Sequence, residues 1–167
     1  MKPKAGITAA IGGAVVFASA GVHLGAGGAG LARVSILGAA LGALVYIDVA
    51  SHRIPNRIVV PACTACAVLL SADRASVQRL IPSLVLVALM LLVSFASPAS
   101  FGMGDVKLAL LVVLGLGDVA TRALLLGLVL AAVFGLLLIL RFGRPAAARS
   151  LPLAPFLATG AAVAVLL

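Results

Sequence analysis

Runs of apolar residues follow one another along almost the whole chain, separated only by short breaks that contain glycine, proline or charged residues. Of the 167 residues, 64% are hydrophobic and 10% are charged, whereas soluble domains average roughly 45 to 50% apolar residues. A water-soluble fold of this length has too little interior to cover so much apolar surface. Because a bilayer-crossing helix needs ~20 mainly apolar residues, the pattern predicts a polytopic helical membrane protein.

Seven apolar runs are predicted to be helices, which makes the expected fold an all-α transmembrane bundle of six or seven helices. No internal repeat and no long linker separates them, so the length indicates one membrane domain. The predicted helices occupy residues 5–22, 31–49, 58–72, 80–97, 106–117, 123–140 and 151–167.

The first run has two interpretations. Lys2 and Lys4 precede an apolar stretch, and the small residues 18–20 follow it, a pattern that also describes a secretory signal peptide. We favour a retained helix. Residues 1–30 are therefore expected to form an extra N-terminal element, either an anchor or a signal peptide, and residues 31–167 the main membrane domain.

The net charge of +8 comes from Lys and Arg that stand singly or in pairs between apolar runs. Such a distribution does not indicate a nucleic-acid-binding patch. If all seven segments cross, the positive-inside rule places the side with more cations in the cytoplasm. That side receives Lys2, Lys4, Arg53, Arg57, Lys107, Arg141, Arg144 and Arg149, and the other side receives Arg33, Arg74, Arg79 and Arg122.

The acidic residues are four Asp and no Glu. Asp73 and Asp118 lie in polar breaks beside arginines and are interpreted as solvated loop charges. Asp48 ends an apolar run and Asp105 begins one, where a carboxylate costs about 2.5 to 3.5 kcal/mol if it reaches the bilayer centre. Two apolar segments separate this pair, so both return to the same membrane face, predicted to be cytoplasmic.

Two aspartates that share a proton can activate water for peptide hydrolysis. Intramembrane pairs also serve proton or cation transport, and a structural role is a further alternative, so composition leaves these functions open. No HExxH motif and no nucleophile elbow is present. Cys63 and Cys66 have no second pair to complete a metal site and are predicted to be packing residues.

Residues 48–56, DVASHRIPN, place Ile, Pro and Asn six to eight residues after an Asp, and residues 102–108, GMGDVKL, contain a GxGD loop followed by Lys. These motifs resemble the first and second motifs of the type IV prepilin peptidases. Residues 151–160, LPLAPFLATG, are similar to the last family helix, and Pro152 and Pro155 are expected to break that helix near the site. The resemblance covers residue 31 to the C-terminus.

The resemblance implies an A24-type aspartic peptidase with a GxGD-type intramembrane aspartic protease fold. Its implied catalytic residues are Asp48 and Asp105, its partners are prepilin or pseudopilin precursors and the lipid bilayer, and it needs no metal or other cofactor. Cleavage of the leader is expected at the cytoplasmic face of the inner membrane. The residues expected to bind substrate or shape the site are Gly102, Gly104, Lys107, Pro55, Asn56, Pro152 and Pro155.

Several of these residues have separate physical roles. Gly102 and Gly104 are expected to allow a tight turn and close approach of a substrate backbone to the second aspartate. Pro55 is expected to stiffen the end of the first catalytic helix, and Asn56 to cap the next one. Lys107 either favours the anion at the second aspartate or extends to the membrane interface.

Bifunctional family members carry a large cytoplasmic insertion with two CxxC pairs, for which this chain has no room, so no N-methyltransferase activity is expected. The compact form looks most like peptidases of Flp or Tad-type pili.

The helix ends predict which aspartate is ionised. Because Asp105 is predicted to start a helix and Asp48 to end one, the dipoles of their own helices favour the anion at Asp105. Asp105 is accordingly expected to be the base.

Overall fold

The computed structural model describes residues 3–23, 27–51, 53–71, 79–97, 102–143 and 151–167. Within them all regular structure is helical, as predicted, and every predicted segment corresponds to a helix whose ends differ by a few residues. The elements are α1 (Pro3–His23), α2 (Gly28–Ser51), α3 (Asn56–Ser71), α4 (Ile81–Ala96), α5 (Met103–Leu116), a 3₁₀ turn (Gly117–Val119), α6 (Ala120–Phe142) and α7 (Ala154–Leu166).

In the part of the chain that the structure describes, two stretches are long and apolar enough to cross a bilayer, namely Gly28–Ser51 and Met103–Phe142. The second contains α5, the 3₁₀ turn and α6. Large apolar side chains are exposed along the outer faces of α4 and α6, for example Leu92 at 63% and Leu140 at 73%. So much exposed apolar surface is typical of a lipid-facing surface and not of a monomer in water.

Helix α5 lies at the centre of the bundle and contacts α2, α3, α4, α6 and α7. Its residues are apolar on every side, which is the pattern of a helix enclosed by others. Leu108, Leu111, Val112 and Val113 are all fully buried. The short run that the sequence predicted at this position is therefore the core of the fold, and it carries Asp105 in its first turn.

Glycines allow close contact between two pairs of helices. A Cβ added to Gly38 of α2 would collide with the carbonyl oxygen of Gly13 in α1, and one added to Gly42 would collide with that of Ala9. A Cβ at Gly160 of α7 would lie 2.5 Å from the carbonyl oxygen of Ala123 in α6. Small residues at helix contacts in membranes increase van der Waals packing, which drives helix association there.

Arg33 differs from its sequence-based placement among the loop cations. It lies inside α2 and its side chain is 8% exposed. Its Nε and Nη1 atoms are buried and have no hydrogen-bond partner among the described residues. The nearby backbone is that of Gly117, which has φ of 59°. Arg33 lies 15 residues before Asp48, roughly 22 Å along an α-helix, and so at the opposite end of the bundle.

Candidate active site

Asp48 and Asp105 lie at the same end of the bundle. Asp48 is in the last turn of α2 and Asp105 is the third residue of α5, and these two helices contact each other. The aspartates are close enough for the charge on Asp48 to act on Asp105. Asp48 is 4% exposed, whereas Asp105 is only partly buried. The bundle thus presents two carboxyl groups of unequal accessibility to one location.

The segment between α2 and α3 brings the first motif to this location. The carbonyl oxygen of Pro55 accepts hydrogen bonds from the N–H groups of Ile58 at 3.1 Å and Val59 at 3.3 Å. Pro55 therefore lies immediately before the first residue of α3, where its fixed φ and missing N–H cost little. Asn56 follows as the first residue of α3, and its side chain points toward the second motif and not along its own helix.

Lys107 connects the two motifs. Its Nζ donates a hydrogen bond to Oδ1 of Asn56 at 3.0 Å, which joins α5 to α3 two residues after Asp105. The sequence had assigned Lys107 to the second aspartate or to the membrane interface, and Asn56 to capping. The structure adds a contact that neither expectation included, since the two side chains are hydrogen-bonded to each other.

The two glycines of the GxGD loop differ in their surroundings. A Cβ on Gly104 would lie 3.1 Å from the Cβ of Ile54, so a side chain there would make a tight contact that requires Ile54 to move by a few tenths of an ångström. Gly102 precedes α5 with φ −76° and ψ 140°, angles that any residue adopts. A Cβ on Gly102 would lie 3.4 Å from Oδ2 of Asp105. Gly104 is explained by close packing against Ile54, and Gly102 by the space that it leaves beside Asp105. Neither glycine is explained by an unusual backbone turn.

Helix α7 completes the site. Leu153 is its N-cap, Ala154 its first residue, and Pro155 its second, with Pro152 just before the cap. The backbone N–H of Ala154 donates to Oδ2 of Asp48 at 3.1 Å. Sequence reasoning located this segment near the site through its prolines but missed the donor. No side-chain type can indicate it, because the donor is a main-chain group.

The remaining acidic and thiol groups lie elsewhere. Asp118, in the 3₁₀ turn, forms an exposed ion pair with Arg79 at 2.6 Å, consistent with a solvated charge. Asp73 lies outside the described residues. Cys66 is buried and Cys63 partly buried, both as free thiols in the apolar core. No group of three or more His, Cys, Asp or Glu that could hold a metal ion occurs in the described part of the chain.

Comparison with protein families decides the assignment. The family model described as the type IV leader peptidase family matches residues 35–140. The chain belongs to the type IV leader peptidase family. As a member of this A24 family it is an aspartic-type peptidase and a polytopic protein of the inner membrane. No curated protein and no solved structure gives a significant match.

The region matched to the leader peptidase family includes Asp48, Asp105 and the motifs around them. The first helix and the segment from residue 151 onward lie outside the match. The contact of Ala154 with Asp48 is therefore a property of this leader peptidase that its structure reveals and the family match does not cover.

Proposed function

We propose that the protein hydrolyses the leader peptide of prepilin-like or pseudopilin precursors, with Asp48 and Asp105 as its catalytic pair. The observation that supports this most is the meeting of these two carboxyl groups at one end of the bundle. Two further observations agree with it. Both aspartates lie within the range that the family model matches, and the exposed Asp118 is already paired with an arginine.

The reaction requires one aspartate ionised and the other protonated. The ionised carboxylate removes a proton from water, and the water oxygen adds to the scissile carbonyl carbon. The protonated aspartic acid donates its proton to the carbonyl oxygen. When the tetrahedral intermediate collapses, the C–N bond breaks and the leaving nitrogen takes up the proton held by the first aspartate. The pair regains its single proton as the new carboxyl group forms, and no covalent enzyme intermediate occurs.

The location of the aspartates at one end of a lipid-facing helical bundle supports this substrate class. A precursor with a polar leader and an apolar helix can pack that helix against the exposed apolar faces of the bundle, while the leader reaches the aspartates. We place the site at the cytoplasmic face, because Arg53 and Arg57 are exposed next to the first motif. These two arginines are proposed to contact anionic lipid headgroups. A pilus of the Flp or Tad type remains the expected source of the substrate.

Co-expression with a prepilin-like precursor tests the proposal. Cleavage, followed by the mass of the mature product, is expected to be lost in both Asp48→Asn and Asp105→Asn and retained in Asp118→Asn. Asp118→Asn makes the same chemical change at an aspartate outside the site. If either active-site variant still processes the precursor, the two-aspartate mechanism is wrong. An ion- or proton-coupled transporter, the alternative that uses the same pair, predicts no cleavage even by the unaltered protein.

A further inference from the structure

The first turn of α7 directs one backbone donor at Asp48. The first N–H groups of a helix have no partner within it. Here Pro155 has no N–H, and the N–H groups of Phe156 and Leu157 both bond to the carbonyl oxygen of Leu153 at 3.1 Å. The N–H of Ala154 instead reaches Oδ2 of Asp48, 106 residues away in sequence. Asp48 thus accepts a hydrogen bond from the first turn of another helix.

Both partners of the hydrogen bond between Ala154 and Asp48 are shielded from water. Ala154 is fully buried, and Asp48 is 4% exposed. Water therefore has little access to replace either partner, and a buried N–H left without an acceptor is costly. Hydrogen bonds from backbone N–H groups to a carboxylate are shorter and stronger than neutral ones. The positive end of the α7 dipole also points at Asp48, which favours the ionised carboxylate.

We propose that the N–H of Ala154 is a positioning group for peptide hydrolysis, which fixes Oδ2 of Asp48 and leaves Oδ1 to take the proton of the attacking water. The proposal rests on the proposed function, because it concerns the same pair. It makes Asp48 the base and Asp105 the proton donor. That order is the reverse of the one expected from the dipoles of α2 and α5 alone, since α7 adds a direct donor to Asp48.

An amide-to-ester exchange tests the proposal with a single-atom change. Replacing the Leu153–Ala154 amide by an ester, in a full chain assembled with a synthetic C-terminal segment, removes the donor and weakens the Leu153 carbonyl oxygen as the acceptor for Phe156 and Leu157. The matched control is the ester at Phe156, which removes an N–H bonded inside α7. An all-amide chain assembled in the same way is the reference. The readouts are kcat, KM and the melting temperature with a precursor peptide in lipid vesicles.

The Ala154 ester is expected to lower kcat about ten- to hundredfold, the effect of losing a hydrogen bond to a charged group, with little change in KM. The Phe156 ester is expected to keep kcat within about threefold of the reference. Equal losses in the two esters, or a lower melting temperature with kcat unchanged in the Ala154 ester, would overturn the proposal, because the bond would then be only structural.

Hydrogen exchange gives a second measurement that does not depend on synthesis. Asp48→Ala is expected to speed exchange at the amide of Ala154, and Asp105→Ala to leave it unchanged. Unchanged exchange in both variants would show that the bond does not form. The proposed function and the proposed role of Ala154 can be refuted separately. Normal cleavage by Asp48→Asn would refute the proposed function, whereas inactive aspartate variants with a fully active Ala154 ester would refute only the role of Ala154.

Discussion

Nζ of Lys107 and Oδ1 of Asn56 lie 3.0 Å apart, and their hydrogen bond joins the second motif to the first. Each residue lies in the first turns of its helix, close to an aspartate or to the segment that leads to one. The bond therefore constrains the separation of α3 and α5 at the end of the bundle where Asp105 begins its helix. We propose that this bond helps to fix the relative positions of the two aspartates that are proposed to be catalytic.

Lys107→Met and Asn56→Ala are expected each to lower kcat/KM about fivefold, which corresponds to about 1 kcal/mol for a partly exposed hydrogen bond. Because one bond is lost in either case, the double variant is expected to lose no more than the worse single variant. Arg57→Met is the control, since it removes an exposed cation from the same end of the helical bundle. Multiplied losses in the double variant would show that the two residues act independently.

Gly104→Ala is expected to destabilise the fold by about 1 to 3 kcal/mol, because its Cβ would lie 3.1 Å from that of Ile54. Ile54→Ala is expected to restore part of this loss in the double variant. Gly102→Ala provides the contrast. Its backbone angles suit any residue, so thermal unfolding should change little, while the new methyl group 3.4 Å from Oδ2 of Asp105 lowers activity. Equal destabilisation by both alanines would contradict this account.

Arg33→Met is expected to raise the melting temperature of the detergent-purified protein. The Nε and Nη1 atoms of Arg33 are buried without partners, and replacing even paired buried charges by apolar residues often stabilises by about 1 to 4 kcal/mol. Arg122→Met, at an exposed arginine on the same side, should have no effect. A lower melting temperature in Arg33→Met would mean that the guanidinium has a favourable interaction beyond those of the described residues.

Helix α1 is proposed to be retained in the mature protein. Gly38 and Gly42 allow α1 to approach the backbone of α2 so closely that removal of α1 would expose a long apolar seam. Intact mass spectrometry of protein purified through a C-terminal tag should find residues 1–30 present. Gly38→Leu should lower the melting temperature, whereas Gly12→Leu should not, since nothing lies near Gly12. A mature chain that begins after Ala20 would show that the segment is a signal peptide.

The helices could be predicted from the sequence because each needs a continuous apolar run, and the two aspartates were found because carboxylates are rare in such runs. The parity of the intervening helices then placed both at one end. What escaped prediction are contacts between distant helices. The donor on Ala154 is a main-chain atom, and the dipole argument considered only the helix that carries each aspartate. Asn56 and Lys107 were each given local roles, since spacing along the chain does not indicate a partner on another helix.

The orientation of the site can be tested with two cysteines at opposite ends of the bundle. In a background with Cys63→Ala and Cys66→Ala, Arg53→Cys and Arg79→Cys introduce single exposed thiols. Arg53 adjoins the first motif, and Arg79 pairs with Asp118, which lies beyond the far end of α5 from Asp105. A membrane-impermeant maleimide should label Arg53→Cys only in inside-out vesicles and Arg79→Cys only in intact spheroplasts. The reverse pattern would place the aspartates at the outer face and contradict the positive-inside rule, which assigns the cation-rich side of the protein to the cytoplasm.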